Sequence, residues 1–423
     1  MKRISKIIIS NYKAYSAPAE LINADGKNML IYGENGSGKT SLFHALKHFM
    51  MSSTQLGLPF VKNMYLDPTI EGIIEIEFID GDAKTSYLSS SDETKSTHKV
   101  PHITDAADSF GYLDYKLLLE FYLNKPSNPN LFELIVLKLL GRYRFPTTPH
   151  ITIAEEWKKI YNLVLHSRSR ATNRHKEGLK RLSLFDVNLR SLLRDLQNEV
   201  NRYLNTYFKS MNINIEFEMT PNPLTCVYNK HLVDWRINNW LYIKVTNKQT
   251  PLHPKIQNYT LNLNEARLSA IALCIYLSSL KKMPQVMDFQ LLILDDVFIG
   301  IDTGNRLPIM CLLFKEFANY QIVMTTYDRS WFNMAKDYVS VYSADGWKCY
   351  ELYEGKKTIN STDIIPFPII TDSASDYSKA CLFFNHESQP DYAASANYLR
   401  KSLEEYFSSQ MPVGAIYYSE QKF

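Results

Sequence analysis

The stretch that most constrains this chain is IYGENGSGKTS, which runs from Ile31 to Ser41. Gly33 to Thr40 fills the pattern G-x-x-x-x-G-K-[ST], in which a glycine-rich loop directs backbone N–H groups at the phosphates of a nucleotide. A short apolar run at 28–32 precedes the loop, and apolar residues at helical spacing follow it. The sequence therefore predicts a phosphate-binding loop between a buried strand and the N-terminus of a helix, where the helix dipole favours an anion.

The residues of this loop divide the expected phosphate and metal contacts among them. Lys39, interpreted as a surface-facing charge, is expected to reach the β- and γ-phosphates and to assist catalysis, and Thr40 is expected to bind Mg²⁺. The predicted ligands are therefore ATP and Mg²⁺. The nucleotide-binding set that the motif predicts is Gly33, Asn35, Gly36, Ser37, Gly38, Lys39, Thr40 and Ser41.

A second motif supplies the acidic partner that a phosphate-binding loop needs. Four aliphatic residues, Leu291 to Leu294, precede Asp295 and Asp296. In this class of site a carboxylate at the end of a buried strand holds the metal ion. We therefore expect Asp295 to bind Mg²⁺ and Asp296 to orient or deprotonate the attacking water. Two carboxylates beside a buried strand are otherwise costly to desolvate.

Strand-like and helix-like segments alternate along the chain, which predicts an α/β fold with a parallel-rich sheet. Alternation over 70–88 predicts a hairpin, and the apolar pattern over 112–123 predicts a helix. Apolar residues recur at spacings of three and four between Ile153 and Lys209, which predicts two or more helices. A further hairpin is predicted to join Tyr338–Tyr342 to Trp347–Tyr353 across Asp345-Gly346.

Composition excludes several other classes of protein. The 423 residues are 45% hydrophobic with a net charge of +3, which indicates a globular chain with no general attraction to polyanions. Five widely spaced cysteines without a C-x-x-C pair argue against zinc and disulfide frameworks. The apolar run Ile7–Ile9 is too short for a signal peptide, and no run approaches the roughly 18 residues of a membrane span. We therefore expect a cytoplasmic protein that does not bind membranes.

Four more stretches resemble motifs of ABC-type ATPases in the RecF/SMC-like branch. Residues 263–267, LNEAR, precede a helix and resemble the signature motif. Residues 297–302 resemble the D-loop and 323–328 the switch strand. Residues 10–15 resemble the NFRS stretch, with Lys13 at its basic position. With the P-loop and the acidic pair, these motifs follow the order of that family.

The resemblance implies an ABC-type P-loop ATPase head that works in pairs. In this family two subunits meet head to tail, and each ATP lies between the P-loop of one subunit and the signature helix of the other. The resemblance thus adds Asn264, Glu265 and Asp302 to the expected nucleotide contacts, and Lys13 beside the P-loop. Tyr327, in the switch strand, takes the position of a catalytic group. A homodimer or a higher homo-oligomer follows as the expected assembly.

Several residues differ from the usual pattern of the family. Asp296 stands where a glutamate is usual, and its side chain is one methylene shorter. Tyr327 stands where a histidine is usual, and with a reference pKa of about 10 it is no proton relay near neutral pH. Asn264 replaces a serine and Ala266 a glycine. These differences predict slow turnover and a modified contact between subunits.

The motifs also predict how the chain is divided. An ATPase lobe with the P-loop covers 1–150, and a short helical insert covers 151–210. A second ATPase lobe at 211–358 carries the signature, the acidic pair, the D-loop and the switch strand. A mainly helical C-terminal extension covers 359–423.

Two functions are compatible with these features. Compact ATPases of this kind resemble the ATPase subunits of anti-phage systems, such as AriA of PARIS or PtuA of Septu. That resemblance predicts a sensor or scaffold that hydrolyses ATP slowly and holds a separate effector, expected to be a nuclease, until a phage trigger protein or nucleic acid arrives. The alternative is a RecF-like repair ATPase that binds DNA through its basic insert.

The insert region Trp157–Phe208 carries eleven basic residues against four acidic ones, a surplus of seven. This surplus suits either a clamp for nucleic acid or an acidic protein, or simply a solvated helical face. The basic residues are Lys158, Lys159, Arg168, Arg170, Arg174, Lys176, Lys180, Arg181, Arg190, Arg194 and Arg202.

An apolar stripe near the C-terminus has alternating spacings of four and three, which is typical of one face of a helix. Packing within the subunit is the expected use of this face, and docking of a partner is the alternative. The stripe comprises Tyr392, Ala396, Leu399, Leu403 and Tyr406.

Overall fold

The fold was analysed in a computed structural model. The residues that it describes are 1–55, 57–92, 94–109, 111–123, 128–165, 172–229, 234–249, 255–256, 258–283, 288–343, 346–359, 363–373, 376, 380, 384 and 392–410.

The strands are β1 (Arg3–Ser10), β2 (Glu20–Asn23), β3 (Asn28–Gly33), β4 (Ile73–Asp80), β5 (Ala83–Ser90), β6 (Gly111–Asp114), β7 (Ile213–Asn229), β8 (Asp234–Asn247), β9 (Lys255–Ile256), β10 (Leu291–Asp295), β11 (Gln321–Thr326), β12 (Trp347–Ile359) and β13 (Asp363–Asp372). The helices are α1 (Lys39–Met51), α2 (Pro101–Ser109), α3 (Tyr115–Leu119), α4 (Ile153–Leu165), α5 (Asn173–Tyr207), α6 (Tyr259–Asn262), α7 (Glu265–Lys282), α8 (Thr303–Glu316), α9 (Arg329–Ser343) and α10 (Tyr392–Gln410), with a π-helix at Glu133–Leu139 and a 3-10 turn at Lys209–Met211.

A mixed central sheet has the strand order β13-β12-β3-β11-β10-β6. All neighbouring strands in it run parallel except the pair β12 and β13. The carboxyl ends of β3, β11, β10 and β6 therefore meet at one edge, where open α/β sheets bind their ligands. This is the α/β architecture that the alternating pattern predicts.

The inner strands are buried on both faces, as parallel strands usually are. In β10, Leu291 and Ile293 belong to the same core as α1, whereas Leu292 and Leu294 belong to the core that contains α7. Because successive side chains of a strand point to opposite faces, the helices α1 and α7 cover opposite sides of this sheet. The strand before the acidic pair is thus held from both sides.

Two smaller sheets flank the central one. An antiparallel sheet has the order β2-β1-β4-β5, and another has the order β7-β8-β9. Helices α4 and α5 occupy the described part of the region predicted to be a helical insert, and α5 packs against β7 and α7. The hairpin predicted over 70–88 is confirmed by the pairing of β4 with β5.

The hairpin predicted between Tyr338–Tyr342 and Trp347–Tyr353 is wrong. Tyr338 and Tyr342 lie in α9, where their rings pack with centroids 4.5 Å apart. A spacing of four residues satisfies strand alternation and a helical face equally, and the helix forms here. Trp347–Tyr353 belongs to β12, which pairs with β3 and β13 instead. Asp345, in the predicted turn, lies outside the described residues.

The extension predicted as mainly helical begins with a strand. Residue 359 is the end of β12, and β13 forms an edge of the central sheet. Pro366 and Pro368 lie in this edge strand. An edge tolerates proline because the missing N–H is not needed by a further strand. Helix α10 follows, and its Tyr392, Leu399 and Leu403 are 63%, 41% and 48% exposed, which contradicts the expected packing within the subunit.

Among the described helices, none is both long enough and apolar enough to span a bilayer.

Candidate functional site

The loop after β3 makes a tight turn that only glycine can follow at several points. Gly36 and Gly38 have φ angles of 91° and 100°, in the left-handed region. A Cβ atom at Gly33 would lie 2.3 Å from Ser37 Oγ and 3.0 Å from the Leu352 carbonyl oxygen. The glycines of the motif are therefore required by the backbone and by the close approach of β12.

Lys39 begins α1 and folds back into the loop. Its Nζ donates to the carbonyl oxygens of Gly33, at 2.6 Å, and Glu34, at 3.0 Å. The residue is only 4% exposed, so the expected surface-facing charge is wrong. Burial lowers the pKa of Lys39, while the nearby Asp296 acts in the opposite direction. The ammonium group is thus positioned inside the loop by the protein itself.

The P-loop encloses a cavity of about 270 Å³, which we call the phosphate cradle. It is lined by Ala14, Asn35, Gly36, Gly38, Lys39, Thr40, Ser41 and Asp296. Six of the eight predicted loop residues therefore face one space. Gly33 and Ser37 do not line it. Ser37 is buried, and Gly33 packs closely against Ser37 and Leu352.

Asp295 ends β10 beside the cradle, as predicted. The Thr325 hydroxyl donates to Asp295 Oδ1 over 2.7 Å, and the carboxylate is 4% exposed. Burial raises the pKa of Asp295, and hydrogen bonds from the Thr325 and Thr40 hydroxyls oppose that rise. The contact between Thr40 and Asp295 brings the two predicted metal ligands together.

Asp296 adopts a strained conformation with φ 53°, which is uncommon for a residue other than glycine. Its Oδ2 lies 3.9 Å from Lys39 Nζ, and its Oδ1 is buried without a hydrogen-bond partner among the described residues. Burial raises the pKa of Asp296 to about 6, with Lys39 acting against the rise. A carboxylate oxygen that is desolvated and unbonded at this position can accept a hydrogen bond from a water molecule.

A second cavity, of about 480 Å³, adjoins the cradle; we call it the carboxylate cavity. Asn35, Thr40 and Asp296 line both spaces. Tyr327, which is 41% exposed, also lines the carboxylate cavity. Two of the three predicted catalytic residues, Asp296 and Tyr327, therefore face the same space, whereas the third, Lys39, lines the cradle. Its remaining lining residues are His44, Asp114, Tyr115, Lys116, Asp295 and Ile299.

Asp114 is a residue of this site that the sequence interpretation missed. It ends β6, which pairs in parallel with β10 so that Asp114 lies opposite Asp295. Its carboxylate also caps α3 by accepting from the Leu117 N–H at 2.8 Å. The pattern over 112–123 was interpreted as one helix, but its first residues are a strand. An acidic residue three positions before Leu117 is a helix N-cap signal that could have located the break.

The residues present fit a magnesium ion. No group of three or more His, Cys, Asp or Glu side chains in the described part of the chain is arranged to hold a metal alone. Mg²⁺ generally takes only one or two protein carboxylates and completes its shell with water and substrate phosphates. Thr40 and Asp295 would hold it, and it would neutralise charge on the phosphates.

Three predicted contacts lie apart from both cavities. Asn264 caps α7 by accepting from the Arg267 N–H at 3.1 Å, and Glu265 is the first residue of that helix. Asp302 stands at the start of α8. All three are exposed, and none lines the cradle or the carboxylate cavity of its own chain. Residues 297–302, predicted to be the D-loop, pass close to Glu265, since a Cβ atom at Gly300 would lie 3.2 Å from Glu265 Oε1.

Lys13 approaches the P-loop from the other side. Its backbone N–H donates to the Val61 carbonyl oxygen at 3.0 Å, and it has a φ of 50°. Its side chain lines a third cavity together with Ala14 and Gly36. Burial lowers the pKa of Lys13. The predicted proximity of this lysine to the loop is therefore observed.

A parallel sheet edge with a P-loop, a buried lysine and a strand-end aspartate defines a P-loop nucleoside triphosphatase. The chain belongs to the AAA_15 family of AAA ATPase domains, whose model matches residues 1–410. No curated protein is detectably similar to it in sequence.

Solved structures show similarity at the level of the fold. The recombination mediator protein RecF with ATP, from the RecFOR pathway, has a TM-score of 0.50 and 13% identity, over 86% of this chain and 99% of that one. An SMC head bound to the C-winged helix domain of ScpA has a TM-score of 0.46 and 14% identity, over 88% and 98%. The SMC head domain from Thermotoga maritima has a TM-score of 0.39 and 13% identity, over 88% and 99%. The RecF comparison shows a likeness of fold alone, and the family model shows that the chain is an ATPase domain.

Proposed function

We propose that this ATPase is a slow nucleotide switch that pairs head to tail and holds a separate effector, a nuclease, in an anti-phage defence complex. ATP binds at the phosphate cradle with Mg²⁺ on Thr40 and Asp295. A partner subunit completes the site with the N-terminus of its α7. The ATP-bound pair retains the effector, and a phage trigger releases it.

The position of the signature segment carries the proposal of pairing. Asn264 and Glu265 are exposed at the N-terminus of α7, away from the cavities of their own chain. The N-terminus of a helix favours phosphate through its dipole and free N–H groups. A second copy, turned head to tail, brings that terminus to the cradle without any change of fold. Asp302, exposed at the start of α8, is proposed to join the same interface.

The side chains around the cradle support a division of tasks in hydrolysis. Lys39 binds the phosphates, and the loop carbonyl oxygens that hold it keep it in place. Asp296 accepts a hydrogen bond from the attacking water through the carboxylate oxygen that has no hydrogen-bond partner among the described residues. Tyr327 donates a hydrogen bond from the wall of the carboxylate cavity. Asp114 orients groups near Asp295, to which it is a strand neighbour.

Slow turnover follows from the short side chain of Asp296 and from the chemistry of Tyr327. A tyrosine hydroxyl can hydrogen-bond but does not exchange a proton readily near neutral pH. A poorly placed base can cost a factor on the order of 10² to 10⁴ in rate. A long-lived ATP state suits a subunit that stores an effector more than a motor that cycles.

Co-purification tests the proposed role directly. The chain, with an affinity tag, is expressed together with its chromosomal neighbours, and the retained proteins are identified with and without ATP. We expect an effector to be retained with ATP, to be lost from the Lys39→Ala variant, and to restrict phage growth in cells. Equal retention by Lys39→Ala, or no effect on phage plating, would contradict the proposal.

A RecF-like repair ATPase is the rival function, and the charges of the insert argue against it. Arg181 pairs with Glu156 at 3.0 Å, Arg190 with Asp186 at 3.1 Å, and Arg202 with Glu316 at 2.7 Å. Arginines that are already paired are less available to DNA phosphates.

Other basic residues of the insert, such as Lys158, Lys176 and Arg194, are exposed, whereas Arg168 and Arg170 lie outside the described residues. DNA titrations of the isolated protein at several salt concentrations decide between the two functions. The switch proposal expects little stimulation of ATP hydrolysis by DNA. Strong stimulation that weakens steeply with salt would favour the repair function.

A further inference from the structure

A fourth cavity, of about 290 Å³, lies beside β6, the edge strand of the central sheet. Its walls come from α1, α7 and the π-helix, together with Tyr112 of β6. It shares no lining residue with the phosphate cradle, the carboxylate cavity or the third cavity. Its volume is close to the lower end of the range of roughly 300 to 1,000 Å³ that is usual for small-molecule sites. We call it the β6 cavity.

One side of the β6 cavity is apolar. Leu280 and Met283, at the C-terminal end of α7, line it and are only 5% and 6% exposed. Leu117 and Leu139 are half-buried and also line it. A methionine side chain adapts its shape to the apolar groups that it contacts. This side of the cavity therefore suits the apolar part of a ligand.

Three cationic side chains line the same cavity. Lys47 comes from α1, Lys138 from the π-helix, and Arg142 from the segment just after it. Among the described lining residues Asp108, which is exposed, is the one carboxylate. Lys138 pairs with Glu120 at 2.6 Å, but both side chains are exposed, and surface pairs of this kind are weak. The surplus of positive charge in the lining suits an anion.

Tyr276, from α7, adds a hydrogen-bond donor without a partner. The residue is 6% exposed, and its hydroxyl makes no hydrogen bond with another described residue. The hydroxyl oxygen lies at the start of β6, 3.2 Å from the position that a Cβ atom at Gly111 would take. A buried tyrosine hydroxyl usually has a partner. Burial raises the pKa of Tyr276 well above its ordinary value, so the hydroxyl keeps its proton and can donate to an anionic oxygen.

The backbone that carries Lys138 and Leu139 is itself unusual. Both residues belong to the π-helix Glu133–Leu139. Helices of this type are rare, and they are frequently found at functional sites. The π-helix, the cationic side chains and the unpartnered hydroxyl are independent observations that meet at one cavity.

We propose that the β6 cavity binds a small organic anion with an apolar body, of the class of a medium-chain carboxylate. The three cationic side chains and the Tyr276 hydroxyl hold the anionic head. Leu280 and Met283 contact the apolar body. This ligand is distinct from the nucleotide, and its binding does not depend on the proposed defence role.

Three probes separate the two parts of the ligand. The affinity of the purified protein is measured by calorimetry for octanoate, for acetate, which has no apolar body, and for 1-octanol, which has no charge. Octanoate satisfies both sides of the cavity, so it should bind roughly tenfold or more tightly than either of the other two. This comparison uses the wild-type protein alone.

Removing the free hydroxyl tests the position of the anionic head. Tyr276→Phe should weaken octanoate binding roughly tenfold, the usual effect of losing one hydrogen bond to a charged group, and should leave 1-octanol binding unchanged. Tyr203→Phe, at another buried tyrosine that lies on α5 outside the cavity, is the matched control. It should bind octanoate as the wild type does.

Reversing one charge gives a second test at an exposed position, where folding is not at risk. Lys138→Glu should weaken octanoate binding roughly fivefold, whereas Lys315→Glu, at an exposed lysine of α8 outside the cavity, should not. Melting temperatures show whether each variant is folded. If Tyr276→Phe does not fold, the charge reversal decides.

Two results would overturn the inference. One is octanoate binding no tighter than that of acetate or 1-octanol. The other is octanoate binding that persists at the wild-type affinity in both Tyr276→Phe and Lys138→Glu, because the anion would then lie elsewhere on the protein.

Discussion

Lys39 Nζ lies 3.9 Å from Asp296 Oδ2, and the two side chains are only 4% and 15% exposed. The residue proposed to bind phosphate and the residue proposed to hold water therefore form a weak ion pair in one buried space. Each modifies the ionisation of the other: Asp296 opposes the fall in the pKa of Lys39, and Lys39 opposes the rise in that of Asp296.

Replacing Lys39 should remove nucleotide binding. In Lys39→Ala the ammonium that faces the cradle is lost, together with its hydrogen bonds to Gly33 and Glu34. We expect no measurable ATP binding by calorimetry, and a decrease in the free energy of unfolding of about 1 to 3 kcal/mol because a charged donor is removed from the loop. Lys47→Ala, on the same helix but outside the cradle, is the matched control and should bind ATP normally. Wild-type ATP hydrolysis in Lys39→Ala would contradict the assignment of the P-loop.

A longer carboxylate side chain at position 296, or a histidine at position 327, should speed ATP hydrolysis. Asp296→Glu brings the carboxylate closer to the water, and Tyr327→His introduces a group that titrates near neutral pH. We expect each variant to raise the single-turnover rate about tenfold, within the usual range for a positioned acid or base. ATP affinity, measured in parallel, should change little. If both variants are slower than the wild type, these residues do not limit the rate.

ATP binding and stability should depend on the absence of a side chain at Gly38. Gly38→Ala would place a methyl group 2.7 Å from Pro368 Cγ at a φ of 100°, so we expect weaker ATP binding and lower stability. Gly81→Ala is the control, because Gly81 also has a positive φ, 62°, but no atom of a described residue lies within 4 Å of its Cβ position. The double variant Gly38→Ala/Pro368→Ala should recover part of the loss. Equal decreases in melting temperature for the two single variants would show that the hairpin of β12 and β13 does not constrain the P-loop.

Glu351 should make stability depend on acid pH. Burial works to raise the pKa of this carboxyl, but hydrogen bonds from Arg329, Tyr353 and Ser373 outweigh it and lower the pKa to about 2, from 4.5. Since the folded pKa lies below the unfolded one, the stabilisation is complete above about pH 4.5 and is lost as the pH falls towards 2.

Denaturant unfolding of Glu351→Gln measures this contribution. At pH 7 we expect it to be less stable than the wild type by on the order of 2 kcal/mol, after allowance for the exposed Arg329 side chain. The difference should shrink between pH 4.5 and 3.5. Asp82→Asn, in an exposed hairpin turn, should show no such trend. A difference that is constant with pH would contradict the ionic role of Glu351.

Local patterns were sufficient to predict much of the site. The P-loop and Asp295 are specified by short segments, a buried strand followed by a loop or an acidic turn, and their neighbours in the chain decide their structure. The sequence predicted the position of Lys39 in the loop but not its burial. The burial depends on the carbonyl oxygens that hold its ammonium group, and their positions depend on the path of the whole turn.

Long-range pairing accounts for what the sequence did not predict. Asp114 faces the site only because β6 lies beside β10, which is distant in the chain. Pro368 reaches Gly38 of the P-loop because β13 continues the central sheet beside β12, whereas the sequence predicted a mainly helical extension here. The spacing of Tyr338 and Tyr342 fits both the alternation of a strand and the face of a helix, and the structure shows that they lie in α9.

The most direct test of a composite ATP site is to mix two inactive variants. Lys39→Ala has no working P-loop, and Glu265→Arg has no working signature helix. In a mixed dimer, the P-loop of the Glu265→Arg subunit faces the intact signature helix of its partner, so one of the two sites works.

ATP hydrolysis is measured for each variant alone and for an equal mixture, over a range of protein concentrations. Random pairing should restore about a quarter of the wild-type activity, since half of the dimers are mixed and each has one working site. The restored activity should also rise more steeply than linearly with concentration. Activity of the mixture equal to the mean of the two separate variants, and strictly proportional to protein concentration, would contradict the head-to-tail site.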